Sequence, residues 1–138
     1  MPYDNDNIFA RILRGELPSY KVYEDDETFA FLDIMPRADG HLLVIPKTPA
    51  RNLLDASPGQ MAAVMATVQQ LSNAAMAAFK ADGITIQQFN EAAGGQEVFH
   101  LHVHVLPRHT GAPLRPPGTM ADAAVLQGHV EMMRAALE

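Results

Sequence analysis

Cysteine is absent from the chain of 138 residues, which excludes disulfides, thiolate zinc sites and a cysteine nucleophile. Positive charge is also scarce: ten Lys and Arg residues stand against sixteen Asp and Glu residues, and the formal net charge is −6 at pH 7. An acidic chain does not attract a phosphate backbone over long range, so we expect no nucleic-acid partner. A small phosphate ligand remains compatible with this charge, because a few local donors suffice to hold it.

Long apolar runs are missing too. The N-terminal residues MPYDNDN are polar and acidic, and no long apolar segment follows them. This argues against a signal peptide or a transmembrane span, so we expect a cytoplasmic protein with no membrane partner. The length predicts one domain, which is large enough to bury roughly two-thirds of the surface of the unfolded chain.

The spacing of apolar residues predicts three helices and five strands. Asn7 and Ser57 are candidate N-caps, and Pro58 and Gln60 after Ser57 are typical of a helix start. The predicted helices are residues 7–14, 57–79 and 122–137, and the predicted strands are residues 20–25, 28–33, 41–46, 84–89 and 98–106. Short turns join most of the strands. We therefore expect an α+β fold with a mostly antiparallel five-stranded sheet, one long helix, a short N-terminal helix and a C-terminal helix.

Three histidines occupy alternate positions in the stretch VFHLHVHVL, residues 98–106. Alternate residues of a strand point to the same side, so His100, His102 and His104 are predicted to line one face. The residues between them are apolar and are predicted to pack on the core. A row of imidazoles on such an apolar strand indicates a cleft.

Three interpretations of this row compete: an exposed strand without function, a metal site, and nucleophilic catalysis. On a regular strand, neighbouring histidines of one face are about 6.6 Å apart and the outer pair about 13 Å, which fits a single zinc ion poorly. Catalysis at phosphorus fits better, because a neutral imidazole is a good nucleophile and departs readily afterwards. Flanking imidazoles can orient it, bind phosphate oxygens and move protons near neutral pH.

The loop before the row, NEAAGGQ at residues 90–96, favours a phosphate ligand. Its glycines, Gly94 and Gly95, let the backbone approach a ligand closely. Asn90 and Gln96 bring neutral amide donors, which can bind phosphate oxygens without adding charge.

Together these residues resemble the histidine triad (HIT) family, whose motif is H-x-H-x-H followed by apolar residues. The stretch NIFARILRGELP resembles the N-terminal helix and turn of that family, FAFLDIMPRADGHLLVIPK its first block, and GITIQQFNEAAGGQEVFHLHVHVLPR its last. The most similar branch is the Hint-like one. The resemblance implies a HIT domain at residues 7–110, with a C-terminal arm and helix at residues 111–138 packed on the same domain.

The resemblance also implies which residues act. His102 would be the nucleophile, and His104 would contact phosphate oxygens and assist proton transfer. His100 would orient the strand and the nucleophile, and His41 would be the fourth histidine near the phosphate. Zinc can bind adventitiously at His41, His100, His102 and His104, but no metal or other cofactor is expected to be required.

A nucleotide pocket is implied in the same way. Asp33 would accept both ribose hydroxyls, and Asn90, Gln96 and Gly95 would bind the phosphate or the leaving group. The base would lie in an apolar pocket formed by Ile8, Phe9, Ile12, Phe31 and Ile34.

The implied reaction is attack at the α-phosphorus of a purine nucleotide, on an AMP or GMP moiety, through a nucleotidyl-histidine. A nucleoside phosphoramidase is the first hypothesis. The alternatives are a dinucleoside polyphosphate hydrolase, a purine-nucleotide-binding regulatory protein with little turnover, and a zinc-binding protein. The family also implies a homodimer, in which the long helix and the edge of the fourth strand pack across a two-fold axis.

Glu97 departs from the family pattern, because eukaryotic Hint proteins have a serine at this position. The loop after Asn90 is also one residue shorter than theirs. Both differences leave the preferred leaving group open. Strand alternation predicts that Glu97 lies on the face opposite the histidines, where its carboxylate would not repel a polyphosphate.

Overall fold

The structure, a computed structural model, describes residues 2–138. Its helices are α1 (Ile8–Leu13), α2 (Pro58–Ala78) and α3 (Ala123–Leu137), and its strands are β1 (Lys21–Glu24), β2 (Thr28–Leu32), β3 (Leu42–Pro46), β4 (Gly83–Gln87) and β5 (Val103–Arg108). A single 3-10 turn, Ala92–Gly94, lies between β4 and β5. The predicted order of helices and strands and the α+β class are confirmed.

The five strands form one antiparallel sheet in the order β1-β2-β3-β5-β4. β5 therefore lies between β3 and the edge strand β4. The register places His104 of β5 opposite Leu43 of β3 on one side and opposite Gln87 of β4 on the other. Pairing of β3 with β5 brings the start of β3 close to the histidine row, although the two segments are about 60 residues apart in the chain.

Helices α2 and α3 cover one face of the sheet. Alternation along β5 turns Val103 and Val105 to this face and His104 to the other. The main core consists of buried apolar side chains from both layers, whose removal from water is the chief stabilising contribution. Its members include Leu42, Val44, Val103, Val105, Val64, Val68, Leu71, Leu126, Val130 and Met133.

The long helix α2 begins as the sequence predicts. The Ser57 side chain accepts a hydrogen bond from the Gln60 N–H at 3.0 Å, and the Gln60 side chain accepts one from the Ser57 N–H at 2.9 Å. This reciprocal pair satisfies two amide groups that a helix start leaves open, with Pro58 in the first turn.

A smaller apolar cluster lies on the opposite face, under α1. It is formed by Phe9, Phe29, Phe31, Leu43 and Ile45, with Ile12, Leu13 and Val98 packed against it. The side chain of Asn7 caps α1 by accepting from the Ala10 N–H at 2.9 Å. This cluster supports the face of the sheet on which the histidines lie.

The segment between β5 and α3 runs back across the end of β2. The Arg115 N–H donates to the Arg37 carbonyl at 2.8 Å, and the Ala121 N–H donates to the Ile34 carbonyl at 3.0 Å. Helix α3 then packs its buried Leu126, Val130 and Met133 into the main core. None of the helices within residues 2–138 is long and apolar enough to cross a bilayer; the cytoplasmic location stays a prediction.

Candidate active site

Four imidazoles meet on the α1 face of the sheet. His41 immediately precedes β3, and its Nε2 lies 2.9 Å from Nδ1 of His104 on β5. The rings of His102 and His104 are 5.1 Å apart between centroids. His41 follows Gly40, whose backbone has φ +81° and lies against the ring of Phe79, a conformation and a closeness that suit glycine. The structure thus brings together the histidines that the sequence predicted.

The predicted strand over residues 98–106 is wrong in its first half. β5 begins at Val103, and His100 and His102 lie in an irregular segment before it. The Leu101 N–H donates to the Ala50 carbonyl at 2.8 Å, outside the sheet, and the His102 ring bonds back to the carbonyl of His100. These contacts replace the ladder hydrogen bonds, so the three rings do not form an evenly spaced row.

The orientation of His102 follows from one hydrogen bond. Its Nδ1 lies 2.7 Å from the carbonyl oxygen of His100, and because a carbonyl only accepts, Nδ1 carries the proton. In the neutral ring Nε2 then keeps its lone pair. The ring also packs edge-on against Phe9, with centroids 5.0 Å apart. The result is a fixed, buried imidazole with Nε2 as a nucleophilic atom.

A chain of hydrogen bonds assigns the other tautomers. The Arg37 backbone N–H donates to His41 Nδ1 at 3.1 Å, so the proton of neutral His41 is on Nε2. That proton is donated to Nδ1 of His104, and the proton of His104 is consequently on its own Nε2. His102 therefore presents an acceptor nitrogen, and His104 beside it presents a donor.

His100 is held from both sides. Its Nε2 donates to the Pro46 carbonyl at 2.9 Å, and its Nδ1 accepts from the Tyr3 hydroxyl at 2.5 Å. Asn7 in turn donates to the Tyr3 oxygen at 2.9 Å. Both nitrogens of His100 are occupied within the protein. His100 thus holds in place the carbonyl that bonds the His102 ring; its orienting role stays a prediction.

Burial keeps the four imidazoles neutral. Desolvation, strengthened by the charges of Arg37 and Arg115, lowers the pKa of His41 to about 4. Burial, with His102, His41 and Arg37 nearby, lowers the pKa of His104 to about 3. Burial also lowers the pKa of His100 to about 4 and that of His102, although the bond to the His100 carbonyl and the charge of Glu97 oppose the effect at His102.

Asp33 directly follows β2 and lies next to this cluster. Its Oδ1 accepts from the Met35 N–H at 2.9 Å, and its Oδ2 lies 3.7 Å from Nε2 of His41. Burial raises the pKa of Asp33, and the negative charge of Glu97 raises it further. The backbone also fixes the position, because the Asp33 N–H donates to the His41 carbonyl at 3.0 Å. The carboxylate is thus beside the histidines, with Oδ2 open to a further donor.

The side-chain amide of Gln96 makes four hydrogen bonds within the protein. Its Oε1 accepts from the Glu91 N–H at 2.8 Å and from Asn52 at 3.0 Å, and its Nε2 donates to the carbonyls of Arg51 at 2.7 Å and Val98 at 3.0 Å. In this arrangement the amide of Gln96 shapes the loop. Phosphate binding by this side chain requires that some of these four bonds break.

The side-chain amide of Asn90 uses only part of its hydrogen-bonding capacity. Its Oδ1 accepts from the Leu53 N–H and from Gln88, both at 2.9 Å, while its Nδ2 donates to Gln88 at 2.9 Å. An amide nitrogen has two protons, so one donor of Asn90 is left for a ligand. Gly95 is exposed and has φ +99°, the left-handed conformation that glycine adopts readily.

The five residues predicted for the base pocket separate into two groups. Phe9 and Phe31 are buried and pack edge-on with centroids 5.2 Å apart, and Ile12 packs on their cluster. Ile8 and Ile34 are 48% and 43% exposed, so they offer apolar surface to a ligand. Phe9 and Phe31 are thus closed to solvent, while Ile8 and Ile34 keep exposed apolar surface; the base pocket stays a prediction.

Glu97 is exposed and belongs to the irregular segment, so the alternation of a strand does not apply to it. Its negative charge raises the pKa of both Asp33 and His102. That Glu97 points away from the histidines stays a prediction.

One group of side chains has the spacing of a metal site. The ligand atoms of Asp33, His41 and His104 lie within 4.8 Å of one another. The set differs from the four histidines predicted, because both nitrogens of His100 are occupied by Tyr3 and Pro46. A carboxylate and two imidazoles suit zinc, but an ion there would compete for the nitrogens that join His41 to His104.

Several residues of the site gave no signal in the sequence. Tyr3 contacts His100 from 97 positions away, and Phe89 packs edge-on against His104 with centroids 5.6 Å apart. Arg51 donates two hydrogen bonds to Glu91, at 2.7 and 2.8 Å, and so braces the loop 90–97. A buried asparagine, Asn52, joins Glu91 to Gln96. These contacts depend on tertiary structure, and no local pattern predicts them.

This sheet, with its cluster of imidazoles from β5 and from the segments just before β3 and β5, defines a histidine triad protein. A family profile described as the HIT domain matches residues 14–111, and the chain belongs to the HIT family.

Known proteins agree with this assignment. The chain is 41% identical over 104 residues to "Adenylylsulfatase HINT3" from Arabidopsis thaliana, which covers 75% of this chain, and it spans 53% of the length of that protein. A HIT-like protein from Bartonella henselae, described as involved in cell-cycle regulation, has a TM-score of 0.96 and 50% identity, with 99% of this chain and 100% of that chain covered. A zinc-bound histidine triad protein from Mycobacterium smegmatis has a TM-score of 0.86 and 36% identity, with 96% and 93% covered. The family comprises nucleotide-binding proteins and hydrolases.

Proposed function

We propose that the protein hydrolyses purine nucleotides at the α-phosphorus through a covalent bond to His102, and that it is a nucleoside phosphoramidase. The observation that carries this proposal is the pairing of opposite roles on adjacent rings: Nε2 of His102 has a lone pair, while Nε2 of His104 has a proton. A nucleophile beside a proton donor is the arrangement that two-step displacement needs.

In the first step Nε2 of His102 attacks phosphorus and forms an N–P bond. The bond from phosphorus to the leaving nitrogen breaks, and the electron pair stays on that nitrogen. His104 transfers its Nε2 proton to the leaving group. The positive charge formed on the phosphorylated His102 ring offsets the negative charge left on His104, and His41 steadies His104 by its hydrogen bond to Nδ1.

In the second step a water molecule attacks phosphorus and passes one proton to Nε2 of His104. The N–P bond breaks, and its electron pair returns to His102. The products are the nucleoside monophosphate and the amine, and both imidazoles regain their original protonation states. The bond from His102 Nδ1 to the His100 carbonyl persists throughout, so the ring needs no reorientation between the steps.

The position of Asp33 and of the exposed apolar residues supports nucleotide binding. A carboxylate oxygen that faces the histidines can accept the ribose hydroxyls, and Ile8 and Ile34 offer surface for stacking of an adenine or guanine. Asn90 contributes its remaining amide donor to the phosphate or the leaving group. The same residues would serve a dinucleoside polyphosphate, whose leaving group is a nucleotide, and also adenylyl sulfate, on which the Arabidopsis relative acts by its name.

Zinc is not required by this chemistry. The relative from Mycobacterium smegmatis binds zinc, and Asp33, His41 and His104 are the residues that would hold the ion here. A zinc ion bound there would supply Lewis acidity. It would also take a nitrogen from the His41–His104 pair, so we expect added zinc to inhibit rather than activate.

A homodimer is part of the proposal. β4 is an edge strand, and Ile86 on it is 42% exposed, next to Met65 of α2 at 44%. Such an exposed strand edge with an apolar neighbour is stabilised by pairing with a second copy. Ultracentrifugation of the wild type and of Ile86→Asp tests this: we expect a dimer and a monomer, respectively, and a monomeric wild type contradicts it.

The function is tested with adenosine 5′-phosphoramidate and diadenosine tetraphosphate, in the presence of a chelator. We expect turnover of the phosphoramidate by the wild type and by His109→Ala, since His109 is a surface residue outside the site, and none by His102→Ala. Faster turnover of diadenosine tetraphosphate would support the polyphosphate hydrolase. Tight AMP binding without turnover would support the regulatory protein, and activity that the chelator abolishes would support a zinc enzyme.

A further inference from the structure

Arg37 and Arg115 lie beside His41, the histidine that bonds His104, and each arginine donates a hydrogen bond to the backbone carbonyl of the other. The Arg115 N–H donates to the Arg37 carbonyl at 2.8 Å, and Nε of Arg37 donates to the Arg115 carbonyl at 2.8 Å. Arg37 also bonds His41 through its backbone N–H at 3.1 Å. The arm after β5 is thereby fastened to the loop between β2 and β3, directly beside the histidine that supports His104.

The guanidinium of Arg37 uses only part of its hydrogen-bonding capacity. Within residues 2–138 its one hydrogen bond comes from Nε, so the two terminal nitrogens remain for a ligand. Arg115 is exposed and pairs with Asp39 at 2.8 Å. Two arginines against one aspartate leave this part of the rim with a net positive charge, in a chain whose formal charge is −6.

The positive charges of the two arginines act on His41 and His104. Arg37 and Arg115 both lower the pKa of His41, and Arg37 also lowers that of His104. Glu97, by contrast, acts on His102 and Asp33. The geometry agrees with this placement, because the Arg37 N–H bonds His41 and His41 in turn bonds His104, so both arginines lie on the His41–His104 side of the cluster.

We propose that Arg37, supported by Arg115, forms a subsite for a negatively charged group on the leaving group, such as the carboxylate of an amino acid joined through nitrogen to phosphorus, a sulfate or a phosphate. This inference rests on the proposed function and specifies its substrate class. The planar guanidinium suits such groups, because it can bind two oxygens of a carboxylate, sulfate or phosphate in parallel.

The test compares two substrates that differ only in this charge: adenosine 5′-phosphoramidate N-linked to glycine, and its glycine methyl ester. We expect the wild type to have about tenfold higher kcat/KM for the free acid, the ratio that corresponds to about one charge-assisted hydrogen bond. Arg37→Gln should bring this ratio close to one, because the guanidinium that would bind the carboxylate is lost while the backbone N–H that bonds His41 is retained.

Further variants separate charge from structure. Arg37→Lys keeps the charge and loses the planar fork, so an intermediate ratio is expected. Asp39→Asn removes the partner of Arg115 and should raise the ratio. Arg134→Gln removes an equal charge on α3, where the side chain bonds the Lys21 carbonyl, and should leave the ratio unchanged. In 0.5 M salt the preference for the acid should shrink, because the rim is exposed.

Failure of the subsite and failure of the proposed function give different results. If the wild type hydrolyses neither compound, the proposed function is wrong, and the subsite is then tested by the affinities of the two compounds for the His102→Ala protein, measured by calorimetry. Tighter binding of the acid that Arg37→Gln abolishes supports the subsite. Equal affinities of the two compounds, or an equal loss of affinity for acid and ester in Arg37→Gln, overturn the proposed subsite.

Discussion

His41 and His104 belong to one chain of hydrogen bonds. Nε2 of His41 lies 2.9 Å from Nδ1 of His104, and the Arg37 N–H donates to the other nitrogen of His41. The backbone of the loop between β2 and β3 thus determines, through the rings of His41 and His104, which nitrogen of His104 carries its proton.

We predict that His41→Ala lowers kcat about 10- to 100-fold with little change in KM, because His104 loses the donor that fixes its tautomer. His41→Gln should recover part of the activity, since its amide can still donate a hydrogen bond. Steady-state kinetics measure both effects, and nitrogen NMR of the His104 ring reports the tautomer directly. An unchanged kcat together with an unchanged tautomer in His41→Ala would contradict this role of His41.

Tyr3→Phe removes the hydroxyl that donates to His100 and leaves a buried imidazole nitrogen without a partner. We expect a loss of about 1–3 kcal/mol in the free energy of unfolding, measured with urea. Tyr20→Phe is the control, because Tyr20 packs on the main core on the other side of the sheet. If both variants unfold at the wild-type urea concentration, the contact between Tyr3 and His100 adds nothing to stability.

Stability should fall as the pH falls from about 6.5 to about 4. Burial lowers the pKa of His100 from 6.5 to about 4, so in this range the unfolded chain binds a proton that the folded chain does not. A difference of that size corresponds to about 3 kcal/mol, lost below pH 6.5 and constant again below pH 4. His41 and His104 act in the same direction.

The matched measurement is urea unfolding at pH 7.5 and pH 4.5 for the wild type, His100→Gln and His109→Gln. We expect His100→Gln to be less stable at pH 7.5 but to lose less stability on acidification. His109→Gln should follow the wild type. Equal pH dependence in all three proteins would mean that His100 is protonated in the folded state as easily as in the unfolded chain.

The histidines could be predicted from the sequence because their signal is local. Alternation places His104 on one face of β5, and the spacing of three imidazoles marks the strand before any fold is known. The same alternation does not apply to His100, His102 and Glu97, because the segment bonds to Ala50 and to itself instead of the sheet. An irregular backbone of this kind depends on partners that are distant in sequence.

For the loop before β5, residues 90–96, the sequence predicted the types of residue but not their hydrogen-bond partners. Its composition correctly indicated a glycine-containing turn with amide side chains, but the partners of those amides could not be inferred. Gln96 bonds to Arg51 and Asn52, about 45 positions earlier, in a segment whose sequence has no periodicity. Buried polar groups need partners, yet the sequence does not say which.

Glu97 offers a final test of the electrostatics of the nucleophile. Its negative charge raises the pKa of His102, which in the proposed mechanism attacks only when neutral. Glu97→Gln should therefore lower that pKa and move the acidic limb of the pH profile of kcat/KM to lower pH, with the plateau near pH 8 unchanged. Because Glu97 is exposed, the displacement should shrink in 1 M salt. Glu131→Gln, an exposed change on α3, is the control for net charge. A displacement in the opposite direction, or an equal one in Glu131→Gln, would show that Glu97 does not act on His102.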